Sequence, residues 1–241
     1  GHIVVYDVDK GSYIKHMSLS EFPISTIRWK TGSQTSSNSK SILNAVHADG
    51  KVSQWHAVNG KILYTFEEPG NHIMCLDYDS SGRNFATGGS DNTVRMYDDE
   101  TKSLIYKVSN SFDYVSHSNR IFSICFGKQQ ANENLFVSGG WDNTIKFFDI
   151  RTKSIVNSIL GPHIIGDSID LKNWDLLTGS TDIKDQVKIW DIRNFKCKES
   201  VSFEPKGGHY VSGINAAQFS KYSDHFSDKD FNTFAVGGQK K

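Results

Sequence analysis

Two sets of histidine, hydroxyl and carboxylate side chains stand out in this 241-residue sequence: His117, Ser138 and Asp142, then His163, Thr178 and Asp182. Thr87 and Asp91 make a third set that lacks a histidine. Such a combination could activate a nucleophile, the histidine taking the hydroxyl proton while the acid holds the imidazole. Acyl transfer also needs an exposed nucleophile and an oxyanion site, and neither is signalled. No catalytic residue is therefore assigned. Glycine pairs occur, but no helix follows them, so they do not read as a phosphate or dinucleotide loop and no cofactor is expected. Cys75, Cys125 and Cys197 have no metal-ligand spacing, and no metal is expected.

The elements that must carry these residues are short strands. From Phe136 to Arg151 the chain reads FVSGGWDNTIKFFDIR, with period-two apolar positions on both sides of Asp142-Asn143. Asp and Asn favour tight turns through side-chain bonds to nearby backbone, so the stretch reads as a hairpin. Gly139-Gly140 is expected to let the first strand end in a sharp bend. The pattern returns as FATGGSDNTVRMYD over 85–98, as LTGSTDIKDQVKIWD over 177–191 with two extra turn residues, and more weakly as ILNAVHADGKVSQWH over 42–56. IVVYD at 3–7 is the second half alone, and FAVGG at 234–238 the first half alone.

The aromatic before the acidic position falls at Tyr6, Trp55, Tyr97, Phe148 and Trp190, at intervals of 49, 42, 51 and 42. Repeats of that length, four strands each and ending the third with Trp-Asp, mark propeller blades. The chain resembles the WD-repeat β-propeller family over essentially its whole length. The resemblance implies an all-β fold with partial blades at 1–22 and 207–241 and complete four-stranded blades at 23–69, 70–111, 112–160 and 161–206. We expect a piece of a longer, seven-bladed propeller, its edge strands paired with further blades or another chain. Polar excursions at 31–40 and 220–230 read as loops.

Charge and composition narrow the partners. Lys plus Arg and Asp plus Glu are equal at 27 each, so no global field favours nucleic acid or a membrane surface, and neither is an expected partner. The apolar runs are strand length. Cys75 and Cys125 lie in apolar strand patterns and read as small buried hydrophobes of a reducing, cytoplasmic compartment.

By resemblance, such blades carry a buried chain of His, Ser or Thr, Asp and Trp. This implies networks of His117, Ser138 and Asp142 in the fourth blade, where Phe148 replaces Trp, and of His163, Thr178, Asp182 and Trp190 in the fifth. Thr87 and Asp91 remain in the third blade, with Tyr97 at the Trp position. Ala45, Asp49 and Trp55 leave the second blade's network broken. The residue before the turn acid is expected on the narrower face, which places Trp141 beside Ser90 and Thr181, with Arg120 and His72 directed to the same side. An exposed Trp near an Arg is interaction hot-spot chemistry; the alternative has Trp141 folded over its own blade. Asp99 is expected on an exposed connection.

The reading is a non-catalytic scaffold that binds other proteins. Two alternatives stand beside it. The tandem Phe148-Asp149-Ile150-Arg151 and Trp190-Asp191-Ile192-Arg193 resemble substrate receptors of cullin–RING ubiquitin ligases, with Arg151 and Arg193 facing the adaptor. A structural part in a cytoskeletal or ciliary assembly is the other.

Overall fold

A computed structural model describes residues 1–32, 41–109, 116–202, 211–221 and 233–240. Most of the expected loops at 31–40 and 220–230 lie outside the described residues. No α-helix forms among those described. The chain divides into two compact units, 1–121 and 122–241.

The first unit begins with the hairpin of β1 (His2–Asp7) and β2 (Ser12–Ser18). It continues with β3 (Ile24–Trp29), β4 (Ile42–His47), β5 (Lys51–His56) and β6 (Lys61–Glu67), which pair in sequence order as one antiparallel sheet. β7 (Ile73–Tyr78), β8 (Asn84–Gly89), β9 (Val94–Asp98) and β10 (Leu104–Val108) form the next. Alternating apolar residues from neighbouring sheets fill the space between them. Ile3 and Met17 pack on Leu43, Ala45 and Trp55, and Val46 and Val52 pack on Ile73, Leu76, Phe85 and Tyr97.

The second unit repeats the plan. β11 (Ile121–Phe126), β12 (Leu135–Gly140), β13 (Thr144–Asp149) and β14 (Ser154–Leu160) form one sheet, and β15 (Ile169–Lys172), β16 (Asp175–Gly179), β17 (Val187–Asp191) and β18 (Lys196–Val201) a second. β19 (Val211–Phe219) and β20 (Phe234–Lys240) make a two-stranded sheet. Val137, Ile145 and Phe147 pack against Ile164, Ile169, Leu176 and Trp190. Burying each such side chain contributes roughly 1.5–3 kcal/mol.

Two local devices repeat. The pairing of the third strand with the fourth shifts register beside the aromatic position at Tyr6, Trp55, Phe148 and Trp190, and next to Tyr97. Such a bulge tightens the twist. Five residues after each aromatic, Gly11, Gly60, Lys102, Lys153 and Phe195 all have φ between 54° and 69°. Only two of these are glycine, so the turn itself imposes the left-handed conformation on the others.

The second device is a close approach. A Cβ at Gly139 would lie 2.6 Å from Ile169 Cδ1, one at Gly88 would lie 2.8 Å from Ile121 Cγ2, and one at Gly179 would lie 2.4 Å from Ile214 Cγ2. Gly139 does not adopt positive φ. The expected bend is therefore corrected: these glycines make room for an isoleucine on the first strand of the following sheet.

Candidate protein-interaction site

The turns that carry the candidate residues are built by their acids. Asp91 Oδ1 accepts the Thr93 amide at 3.1 Å and Asp142 Oδ1 accepts the Thr144 amide at 3.1 Å. Asn92 (φ 63°) and Asn143 (φ 57°) take the left-handed position that Asn tolerates. The insertion changes the next turn. Asp182 accepts the Ser180 hydroxyl at 2.5 Å, and Asp185 (φ 55°) takes the left-handed position instead.

The polar networks differ from the expected scheme in three of the four complete sheets. Trp190 Nε1 donates to Thr178 Oγ1 at 3.0 Å, as the scheme has it. His163, however, does not point to Thr178 or Asp182; its Nδ1 lies 2.6 Å from Asn143 Oδ1, on the preceding turn. His163 directly precedes the buried Ile164, and there its ring stays near the surface. Thr87 and Asp91 do not bond to each other. Thr87 Oγ1 donates to Glu68 Oε1 at 2.6 Å, and Asp91 binds Arg95 at 2.5 Å.

Glu68 is the centre that sequence reasoning missed. Its side chain is 1 % exposed and also accepts from Tyr97 OH at 3.0 Å, Asn71 Nδ2 at 2.7 Å and Arg95 at 3.2 Å. Burial and the Glu68 charge push the Tyr97 phenol well above its usual range. The signal was present in one place: Glu68 stands in the loop before the first strand of the sheet in which Tyr97 replaces Trp. In the second blade the network is rewired rather than broken. His47 Nε2 and Ser53 Oγ are 2.8 Å apart, and Trp55 Nε1 donates to Ser53 at 2.8 Å. Burial lowers the His47 pKa, with Asp49 opposing. This serine–histidine pair has the spacing of an activated nucleophile, yet both residues are 0 % exposed, which closes the hydroxyl to any substrate. His117 and Ser138 are likewise fully buried, and Phe148 stacks on Phe136 at 4.6 Å with 3° between planes.

Asp99 is a second correction. It is 2 % exposed, not on an exposed connection. Its carboxylate takes Lys30, Lys102 at 3.0 Å, Tyr78 OH at 2.9 Å and Gln54 Nε2 at 2.8 Å, tying the sheet of β3–β6 to that of β7–β10. Burial holds Lys102 below its usual pKa, with Asp99 opposing. The clue lay in alignment, since Asp99 follows the strand acid in the slot filled by Ala57 and Ile192, both buried.

Around the turns, Trp141 is 38 % exposed although its ring stacks on Phe122 of β11 at 5.2 Å and lies 6.2 Å from the His163 ring. It thus both leans on its own sheet and shows a free area. Thr181 donates its amide to His163 O at 3.2 Å, which continues the contact row into the β16–β17 turn. In the first unit Ser90 holds the equivalent place: its hydroxyl accepts the His72 amide at 2.9 Å. His72 Nδ1 meets Ala48 O. Arg120 is exposed.

Arg151 and Arg193 sit on the connections between third and fourth strands. Each folds back on its own acid, Arg151 Nη2 to Asp149 at 2.8 Å and Arg193 Nη2 to Asp191 at 2.7 Å. These guanidinium bonds lower the Asp149 pKa and bring that of Asp191 to about 2. The arginine side chains remain 70 % and 57 % exposed. Among the described residues no three histidine, cysteine or acidic side chains converge as metal ligands. Among the described residues no helix is long and apolar enough to cross a membrane.

Four-stranded antiparallel sheets repeated along the chain, each with a polar turn after its second strand and a bulge at a fixed aromatic, define a protein of β-propeller blades. A family model described as WD domain, G-beta repeat, matches residues 60–98 and 108–149, so the chain carries WD repeats. Similar proteins include eukaryotic translation initiation factor 3 subunit I of Drosophila mojavensis, 26% identical over 187 residues that make up 75% of this chain and 55% of the relative. The same subunit of Bombyx mori is 30% identical over 169 residues, 66% of this chain and 49% of the relative. A striatin homolog of Dictyostelium discoideum is 23% identical over 193 residues, 75% of this chain and 22% of the relative. The chain spans about half the length of the initiation-factor subunits it matches.

Proposed function

We propose that this chain is a non-catalytic scaffold that holds other proteins in a multiprotein assembly, with the turn end around Trp141 as its working surface. The observation that carries the reading is the exposed indole of Trp141, held in one orientation by Phe122 and His163. A rigid aromatic anchor contributes contact area at little entropic cost, which is how interface hot spots are built. The hydroxyls of Ser138 and Thr178 are buried and His163 bonds to Asn143 instead of Thr178, which supports the non-catalytic reading. The initiation-factor relatives are by name subunits of a larger factor, which supports a place in an assembly. We further propose a cytoplasmic location and a parent propeller with more blades than the ones described, in keeping with the half-length match.

The test is quantitative affinity capture with wild-type protein, Trp141→Ala and Arg120→Ala. The expected result is weaker capture of the main partner by about 1–2 kcal/mol, roughly five- to thirtyfold, for each variant, with unfolding midpoints unchanged. A second reading has a specific observation behind it: Arg151 and Arg193 present matched, acid-braced guanidinium groups, as the ligase-receptor reading requires. Loss of adaptor binding in Arg151→Ala and Arg193→Ala, with Trp141→Ala unaffected, replaces the scaffold reading with that one.

A further inference from the structure

His2 and His16 come together through the register of the first hairpin. Val4 pairs with His16 and His2 with Ser18, so the two histidines are diagonal neighbours on one face of β1–β2. Both residues are exposed, and their rings stack with centres 4.8 Å apart and 28° between planes. Among the described residues no hydrogen bond occupies either ring. Ile3 and Met17, on the opposite face, are buried against Leu43, Ala45 and Trp55. Lys15, adjacent to His16, turns to that buried side, where a Cβ at Gly60 would lie 2.6 Å from its Cε. Its ammonium therefore does not stand between the imidazoles.

We propose that His2 and His16 form a binding site for a divalent transition ion of the zinc class, which clamps β1 to β2. Neutral imidazole is the commonest side-chain ligand for such ions. Two imidazoles on one tetrahedral zinc, each bonded at about 2.0–2.1 Å, hold their ring centres about 5 Å apart. The pair stands at that separation already, so rotation about the side-chain torsions suffices to aim one nitrogen of each ring at a common point. Water fills the remaining positions on the ion. Magnesium, a hard ion that takes oxygen ligands, is rejected by the same chemistry. The two ligands lie on different strands, so neither cysteine spacing nor any local motif announces the site. Bound there, the ion ties together the hairpin whose other face packs on the sheet of β3–β6.

The probe is zinc chloride titrated into the full chain by calorimetry at neutral pH, with magnesium chloride as control. Expected is one saturable zinc site, weakened about tenfold or more in His2→Gln and in His16→Gln, since even an outer-shell partner of a metal site is worth that much. The double variant should bind no tighter than the weaker single one, because one imidazole cannot chelate. Without zinc all three variants should unfold at the wild-type midpoint, as changes at exposed positions do. Hydrogen exchange gives a second readout: zinc should slow the amides of β1 and β2 by about threefold or more in wild type and leave those of the double variant unchanged. Equal zinc affinity in wild type and the double variant puts the ion on other residues and overturns the inference. Magnesium binding as tight as that of zinc, or zinc-loaded wild type with β1 and β2 unprotected, overturns it as well.

Discussion

Residues 88–93 and 139–144 read GGSDNT and GGWDNT, and differ only at Ser90 and Trp141. Their backbones agree: the acid caps the threonine amide at 3.1 Å in both, and the asparagine is left-handed in both. Their surroundings diverge. Around the first, Ser90 binds backbone, Asp91 is paired with Arg95, and Glu68 gathers four donors beneath. Around the second, a half-exposed tryptophan stacks on Phe122 and lies beside the His163 ring. One turn is closed by its own ion pair, and the other carries a partly exposed aromatic ring. The lesson is that hairpin geometry is local, whereas the chemistry presented by a hairpin depends on one side chain and on what the next sheet brings to it.

The largest effect should come from removing the anchor of the closed turn. Glu68→Ala leaves Arg95 and three neutral donors without their acceptor, and breaking a buried pair of this kind costs about 3–5 kcal/mol. Urea unfolding should show that loss, and a midpoint equal to wild type would deny Glu68 its central place. Trp190→Phe in the neutral network of the fifth blade should cost far less, since Thr178 keeps its bond to Lys188 O at 3.4 Å.

Next is Asp99→Ala, expected to cost about 2–3 kcal/mol because two ammonium groups lose their carboxylate. Lys30, 24% exposed, can turn to water when its carboxylate is lost, which holds the loss below that of Glu68. Asp142→Ala, which removes the cap on the Thr144 amide, should cost less, about 1 kcal/mol. This order reverses what an exposed Asp99 would give, and comparison of the two midpoints decides it.

A pH effect sharpens the contrast further. His47 is buried, and its folded pKa lies below the ordinary value of 6.5. The folded state therefore binds fewer protons than the unfolded chain, so this contribution to stability is complete above about pH 6.5 and is lost as pH falls below it. Wild-type stability should decline between neutrality and mildly acid pH, and His47→Gln should flatten that slope. An unchanged slope would mean that His47 ionises freely.

The smallest change in stability belongs to the turn of Trp141. Trp141→Ser, which rewrites it as the closed one, should move unfolding by no more than about 0.5 kcal/mol, as surface changes do. The same change should weaken partner capture by about 1–2 kcal/mol. A variant that unfolds early yet binds normally would make Trp141 a packing residue and erase the difference between the two turns.

Much of the fold was legible in the residues. Alternating apolar positions, Asp-Asn turns and an aromatic recurring at 42–51-residue intervals all depend on neighbours in sequence, so they specified strands, hairpins and repeat without any distant contact. Trp141 could be singled out for the same reason, because its place follows from the turn it precedes. What lay beyond reach depended on contacts between sheets. His163 bonds to Asn143, twenty residues back, rather than to its own sheet's threonine and acid. Asp99 reads as a surface acid until Gln54 and Lys30, from another sheet, close over it. Gly139 reads as a bend until Ile169 occupies the space its side chain would need. A buried carboxylate is tolerable only where donors converge on it, and a missing Cβ matters only where another chain segment approaches. Local pattern wrote the strands, and the packing of one sheet on the next decided which polar side chains were sealed in and which were left facing solvent.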